Sequence, residues 1–327
     1  RMKALGTTRD GSTFDETLWG YNHATGLVTN KLYADDSAVA CAYTSDGKPL
    51  RTTWARSSWK EQAYNADGLL TATTYSDATP AVSLVYDSFQ RLSAASNAVA
   101  AYVYANSALS VATNEVATVG GEVQTLTRRL DDRHRLASLS LGEAPVHYAF
   151  DVENRLAVVS NAAFVAEYAY TTDGWDAGYA VTLTNGVVLS RALTRDTYRR
   201  SLIGTITNSV DGVAVNPLAY NYDVLNRATA RNADTFGYNP RSEITNATLN
   251  AIGYTYAYDN IGNHTTSTVD AVETKYAANS LNQYTSILCA PAPLREPSYD
   301  LDGNLLTNGV FSYTWDAENR LVAAYSN

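Results

Sequence analysis

The residues of this chain that could do chemistry are its four histidines, its two cysteines and a few closely spaced carboxylates. An enzyme needs several such groups converging on one point. His23 directly follows Tyr21-Asn22, and His134 and His264 fall in or beside turns. Only His147, in Val146-His147-Tyr148-Ala149-Phe150, reads as a strand residue, and alternation sets it on the opposite face from Tyr148 and Phe150. The chain has no Gly-x-Ser-x-Gly elbow, no His-Glu-x-x-His pair and no Walker loop. We therefore assign no catalytic residue and no cofactor, and read the chain as a non-enzyme.

Metal chemistry is equally thin. Asp300-Leu301-Asp302-Gly303-Asn304 sets oxygen ligands at alternate positions, like the start of a calcium loop, but the later Glu such a loop needs is missing. Cys41 and Cys289 lie far apart and form no Cys-x-x-Cys or Cys/His cluster, so no zinc site follows; they read as two buried free thiols, with one long-range disulfide as the alternative. No metal is expected. The net charge of −9 and the scattered arginines, with doublets only at Arg128-Arg129 and Arg199-Arg200, argue against nucleic acid. Tyrosine contributes 24 of 327 residues, enough to suggest stacking on sugar rings, but cross-strand stacking within a sheet uses the same residues. The sequons at Asn246 and Asn263 matter only in a secreted eukaryotic protein.

These residues are positioned by a repeat. An aromatic, then Asp or Asn, two variable residues, Gly or Asn, and often Arg-Leu recurs along the chain. The close copies are Tyr86-Asp87-Ser88-Phe89-Gln90-Arg91-Leu92, Phe150-Asp151-Val152-Glu153-Asn154-Arg155-Leu156 and Trp315-Asp316-Ala317-Glu318-Asn319-Arg320-Leu321. Looser copies begin at Tyr21, Tyr43, Tyr64, Tyr222, Tyr238, Tyr258 and Tyr299. A period near 20 residues signals a repeat architecture, in which each unit buries its face against its neighbours.

Each copy reads as a β-hairpin. Tyr254, Tyr256 and Tyr258 share one strand face, as do Tyr313 and Trp315. Asp87, Asp151, Asp223, Asp259, Asp300 and Asp316 sit where a side chain can cap the turn. Gly262, Gly303, Asn154, Asn226 and Asn319, with Gln90 and His134 as weaker substitutes, occupy the fourth place, where a left-handed residue follows a type I turn. Leu92, Leu136, Leu156 and Leu321 are expected on the buried face. The preceding arginine, as in Arg91, Arg155 and Arg320, is expected to point away or lie over a neighbouring ring. Between the copies, Asn185-Gly186, Asp211-Gly212 and Gly120-Gly121 are further hairpin turns.

The Ala-rich stretch 94–105 has helical composition but no sustained helical stripe. The chain therefore reads as all-β and antiparallel. One interruption stands out, a longer loop over Cys289–Pro297 carrying Pro291, Pro293 and Pro297. No apolar run approaches the length of a membrane-spanning helix, and Arg1-Met2-Lys3-Ala4-Leu5-Gly6 carries no visible export signal.

The recurring Tyr/Phe-Asp-x-x-Gly/Asn-Arg-Leu heptamer resembles the YD repeat of RHS (rearrangement hotspot) proteins, of the C component of Tc insecticidal toxins and of animal teneurins. The resemblance covers nearly the whole chain and is weakest over 98–130 and 173–213. It implies tandem hairpins joined into a sheet that spirals into a hollow barrel or shell. It also implies a structural role, enclosing or displaying a polypeptide such as a C-terminal toxin domain. A bacterial, secreted or cell-surface location would follow, with residues 1–327 a single shell region of a longer polypeptide. Bacterial shells usually end in a plug with an Asp-Pro-containing motif, and this sequence has no Asp-Pro dipeptide. The alternative is a bacterial surface module for adhesion or glycan binding.

Overall fold

A computed structural model describes residues 1–107, 112–142, 144–199, 201–289, 291–292 and 294–326. Arg200, Pro293 and Asn327 lie outside the described residues. The described residues form 31 strands and no helix. Of these, 27 belong to one antiparallel sheet, and the last four, Ser298–Tyr299, Leu305–Thr307, Phe311–Trp315 and Leu321–Ser326, form a second. Strands adjacent in sequence are paired in the sheet, and no pairing among the described residues closes it into a barrel. The Ala-rich stretch is strand too, within Leu92–Ser96 and Ala100–Asn106.

Contacts divide the chain into two compact units. One contains Arg1–Val85, Ser96–Ala98 and Tyr238–Asn327; the other contains Tyr86–Ala95 and Val99–Gly237.

The repeats fold as hairpins because their turn chemistry leaves few options. In the copy at Tyr86, the Gln90 amide donates to the Asp87 carbonyl and the Asp87 amide donates to the Arg91 carbonyl, both at 2.9 Å. That is a type I turn followed by a left-handed residue, and Gln90 has φ 61°. His134, Asn154, Asn226, Asn282 and Asn319 hold the same place at φ 61–66°, and Gly262 and Gly303 at 99° and 86°. The extra residue shifts the register, so a motif aromatic pairs across a bulge with the residue six positions on, as Phe150 with Leu156, Tyr222 with Ala228, Tyr258 with His264 and Trp315 with Leu321; Tyr21 pairs with Val28, seven on. The Asp211-Gly212 and Gly120-Gly121 turns both carry two consecutive positive φ values, the two-residue hairpin geometry.

Strand alternation places the aromatics on the more buried face. In Ile252–Tyr258 the tyrosines are half-buried and the residues between them exposed. His147 is exposed, opposite the half-buried Tyr148 and Phe150. Burial nevertheless stays shallow. Among the described residues the buried hydrophobic ones are Ala166, Ile206, Ala247 and Ala317, and none of the large side chains there is fully buried. The accessible surface is 19835 Å², against about 13,000 Å² for a compact chain of this mass. The described residues therefore form no thick core.

The loop over Cys289–Pro297 falls where the 27-stranded sheet gives way to the four-stranded one. Arg295 partly repairs the gap by exchanging backbone hydrogen bonds of 2.8 and 2.9 Å with Ile287.

Candidate functional site

The repeat tip is the most frequently used polar site. One oxygen of Asp87 accepts from the amides of Phe89 and Arg91, and the other accepts from Arg91 Nε at 2.7 Å. Asp223 and Asp316 repeat the full pattern with Arg227 and Arg320. Asp151 takes the Arg155 amide and guanidinium, and Asp259 and Asp300 take the amides and side-chain amides of Asn263 and Asn304.

Such bonds hold the carboxyls of Asp87, Asp131, Asp151, Asp223, Asp259 and Asp316 below their usual range. For Asp87 the Arg91 guanidinium is the main cause, and for Asp131 and Asp223 it is the backbone amide of the partner arginine. For Asp151, Asp259 and Asp316, burial opposes the shift but the same donors outweigh it. The fixed four-residue spacing of Asp and Arg lets the arginine fold back onto its own turn as an ion pair, besides covering a ring.

Two further contacts tie several repeats to the next. First, the tip cation covers the next aromatic: Lys48 over Tyr64, Arg135 over Phe150 and Arg155 over Tyr170, at 5.7, 4.4 and 4.4 Å from the ring centres. Second, the motif aromatic hooks onto the previous return strand. The Tyr64, Tyr170, Tyr222, Tyr258 and Tyr299 hydroxyls donate to the carbonyls of Pro49, Leu156, Ile203, Ile244 and Tyr284 at 2.7–3.2 Å. The Trp315 indole donates to the Leu305 carbonyl at 2.8 Å. Burial pushes the Tyr222, Tyr258 and Tyr299 phenols up, which keeps them protonated as donors. Tyr299 makes its hook across the boundary between the two sheets.

Three expectations need correcting. Leu92, Leu136 and Leu156 are half-buried, but Leu321 is 53 % exposed, because its strand Leu321–Ser326 pairs on one side only. His264 is a strand residue, since it holds the place that leucine takes in other copies, and its ring packs among Tyr256, Tyr258 and Tyr276 at 4.8–5.7 Å. Cys41 and Cys289 are free but half-buried, as thin packing leaves few buried sites. The calcium-like loop spends its oxygens within the protein: Asp300 caps its own turn, and Asp302 faces Arg56.

Arg56 marks a seam that joins the ends of the first unit. Its Nε lies 2.5 Å from Asp302 Oδ2, an ion-pair distance without hydrogen-bond alignment, and its amide donates to Asp302 Oδ1 at 3.1 Å. The Asp302 side chain is 1 % exposed. The guanidinium also donates to the Asp316 carbonyl and to Asn319 Oδ1. Arg199 makes the same two contacts, to the Asp223 carbonyl and Asn226 Oδ1, within the second unit. The repeat tip is thus a guanidinium socket, filled by a nearby arginine in one copy and by one 260 residues away in another.

Lys60 pairs with Glu318 at 3.2 Å, and the Ala317 amide donates to Thr79 Oγ1 at 3.0 Å. Ala317 is 0 % exposed, whereas Val152 and Val224 in the same tip position are 85 % and 94 % exposed. Arg9 adds a bond of 2.6 Å to the Ala278 carbonyl. Sequence reasoning missed the seam, and its only trace is the small residue at position 317.

No protein-family profile matches this chain, and no curated protein is similar to it in sequence. Its fold is similar to solved structures of TcdB2-TccC3, at TM-score 0.72, 12% identity and 94% coverage of this chain. The form of that complex without its hypervariable C-terminal region gives 0.72 at 11% identity and 94% coverage, and the TcdB2-TccC3-Cdc42 complex 0.68 at 12% and 93%. The chain spans only 19–21% of the length of those chains. At this identity the likeness is one of fold, and it agrees with the hairpin repeat.

Proposed function

We propose that this chain is a structural wall segment of the YD-repeat type, which encloses a polypeptide and carries no catalytic residues of its own. The observation that carries this reading is the spending of polar groups. The tip aspartates, the paired arginines and the motif hydroxyls are consumed in holding one repeat to the next. What they build is an extended sheet with almost no buried core. The fold likeness to TcdB2-TccC3 supports a wall role. We place residues 1–327 in a single wall region of a longer polypeptide that works outside the bacterial cell. The enclosed partner is another part of that polypeptide or a separate chain.

The engagement of the aromatics also bears on the glycan alternative, because a ring hooked to a neighbouring carbonyl and covered by a cation is not free to stack on sugar. Expression together with the polypeptide encoded beside it, followed by protease digestion, tests the proposal. The enclosed polypeptide should survive digestion that destroys it when alone. Equal digestion rates with and without this chain would contradict enclosure.

A further inference from the structure

Arg129 and His147 take no part in the ties between repeats, and the sheet brings them together within the second unit. Three neighbouring strands, Glu122–Leu130, Leu136–Leu141 and Ala144–Phe150, pair Arg129 with Ser138 and Ser138 with His147. One step along, they pair Thr127 with Ser140 and Ser140 with Pro145. Residues paired in this way share a face, so all six lie on the side opposite Tyr148 and Phe150. The same six residues line a cavity of about 340 Å³.

Its shape follows from residue size. Ser138 is 8 % exposed and sits between two longer, exposed side chains, Arg129 and His147. The α-carbons of that pair are roughly 10 Å apart, two strand spacings, so both side chains can lean over the serine. A short residue between two long ones leaves a notch with Ser138 as its floor.

The chemistry of the notch is one-sided. Adjacent arginines point to opposite faces of a strand. Arg128 meets Glu115 at 3.2 Å on the aromatic face, whereas the Arg129 guanidinium has neither an ion-pair nor a hydrogen-bond partner among the described residues. The hydroxyls of Thr127 and Ser138 are likewise uncommitted there, and that of Ser140 donates to the Gly142 carbonyl at 2.9 Å. No carboxylate is among the described residues that line the cavity. The notch thus gathers a fixed positive charge, an imidazole and two hydroxyls, all able to donate. A neutral sugar would leave the charge unmatched, and nucleic acid needs a longer basic track than one arginine. A compact anion with acceptor oxygens in several directions satisfies every donor at once.

We propose that this notch binds a tetrahedral oxyanion, a phosphate or sulfate group, with Arg129 as its charge partner and His147, Ser138 and Thr127 as further donors. The site goes beyond the wall role and does not depend on what the wall encloses.

Titration of the full chain with inorganic phosphate at constant pH, followed through the imidazole NMR signals of its four histidines, tests it. The His147 signals, assigned by their loss in His147→Gln, should shift saturably, and those of His23, His134 and His264 should stay. Sodium chloride at the same ionic strength should not reproduce the shift. Arg129→Met should weaken binding by about tenfold, the scale of one charge-assisted contact. Arg129 is exposed, so this variant should keep the circular dichroism of the parent chain. Lys275→Met, at an exposed lysine of the first unit, should leave binding unchanged. Glucose 6-phosphate identifies the source of the group: tighter binding than the inorganic ion assigns the site to an ester, equal or weaker binding assigns it to the free ion, and either supports the site. No saturable shift at His147, equal shifts at all four histidines, an equal response to chloride, or indifference to Arg129→Met would each overturn the proposal.

Discussion

At the scale of single residues, the motif Asp organises its turn. Asp151 accepts from both the amide and the guanidinium of Arg155, so Asp151→Ala should lower the denaturant midpoint, because the turn loses its cap. The depressed carboxyls of Asp87, Asp131 and Asp223 set a pH dependence. Their contribution is fully present above the unfolded carboxylate value of about 3.9 and is lost as pH falls through the lower folded values. Stability should therefore hold from neutrality toward pH ~4 and fall below it. Asp→Asn at all three positions should flatten that fall in an acid titration followed by circular dichroism. Two turns are locally suboptimal: Asn250-Ala251 and Asp270-Ala271 carry positive φ at both residues, with alanine at 67° and 68°. Ala251→Gly and Ala271→Gly should each raise stability by about 1 kcal/mol, because glycine enters that region without steric cost.

At the scale of the hairpin, much was legible and part was not. The turn shows in the sequence because Asp and Gly or Asn have a mechanism at fixed places, and the aromatic face shows because strands alternate. The hook between repeats does not show. Tyr170 reaches back 14 residues to Leu156, Tyr222 reaches 19 to Ile203 and Trp315 only 10 to Leu305. Hairpin length varies while the spatial step stays constant, so no sequence spacing encodes it. Position alone also misled for Leu321, whose exposure depends on what pairs beside its strand. Tyr170→Phe keeps the ring under Arg155 and removes only the donor, and it should cost about 1 kcal/mol. Urea denaturation would measure this, and a neutral result would show that the hook adds nothing beyond stacking.

At the scale of the whole molecule, the hairpins are local but the seam is not. Arg56 meets Asp302 and Asp316 across about 250 residues of sequence, a distance that turn chemistry and alternation do not register. Arg56→Ala strands the nearly inaccessible Asp302 carboxylate and should destabilise the first unit by about 3 kcal/mol. Ala317→Val should cost about 1–3 kcal/mol by overpacking, whereas Val152→Ala, in the same tip position, should be close to neutral because Val152 is 85 % exposed. The contrast would separate seam contacts from ordinary turn contacts.

Small-angle X-ray scattering of the isolated chain distinguishes the proposed wall of repeats from a solid domain. A solid domain of this length has a radius of gyration of about 20 Å. A wall of hairpins should give a clearly larger value, with a distance distribution depleted of short interior vectors. A value at or near that of a solid domain, with a uniformly dense interior, would contradict it.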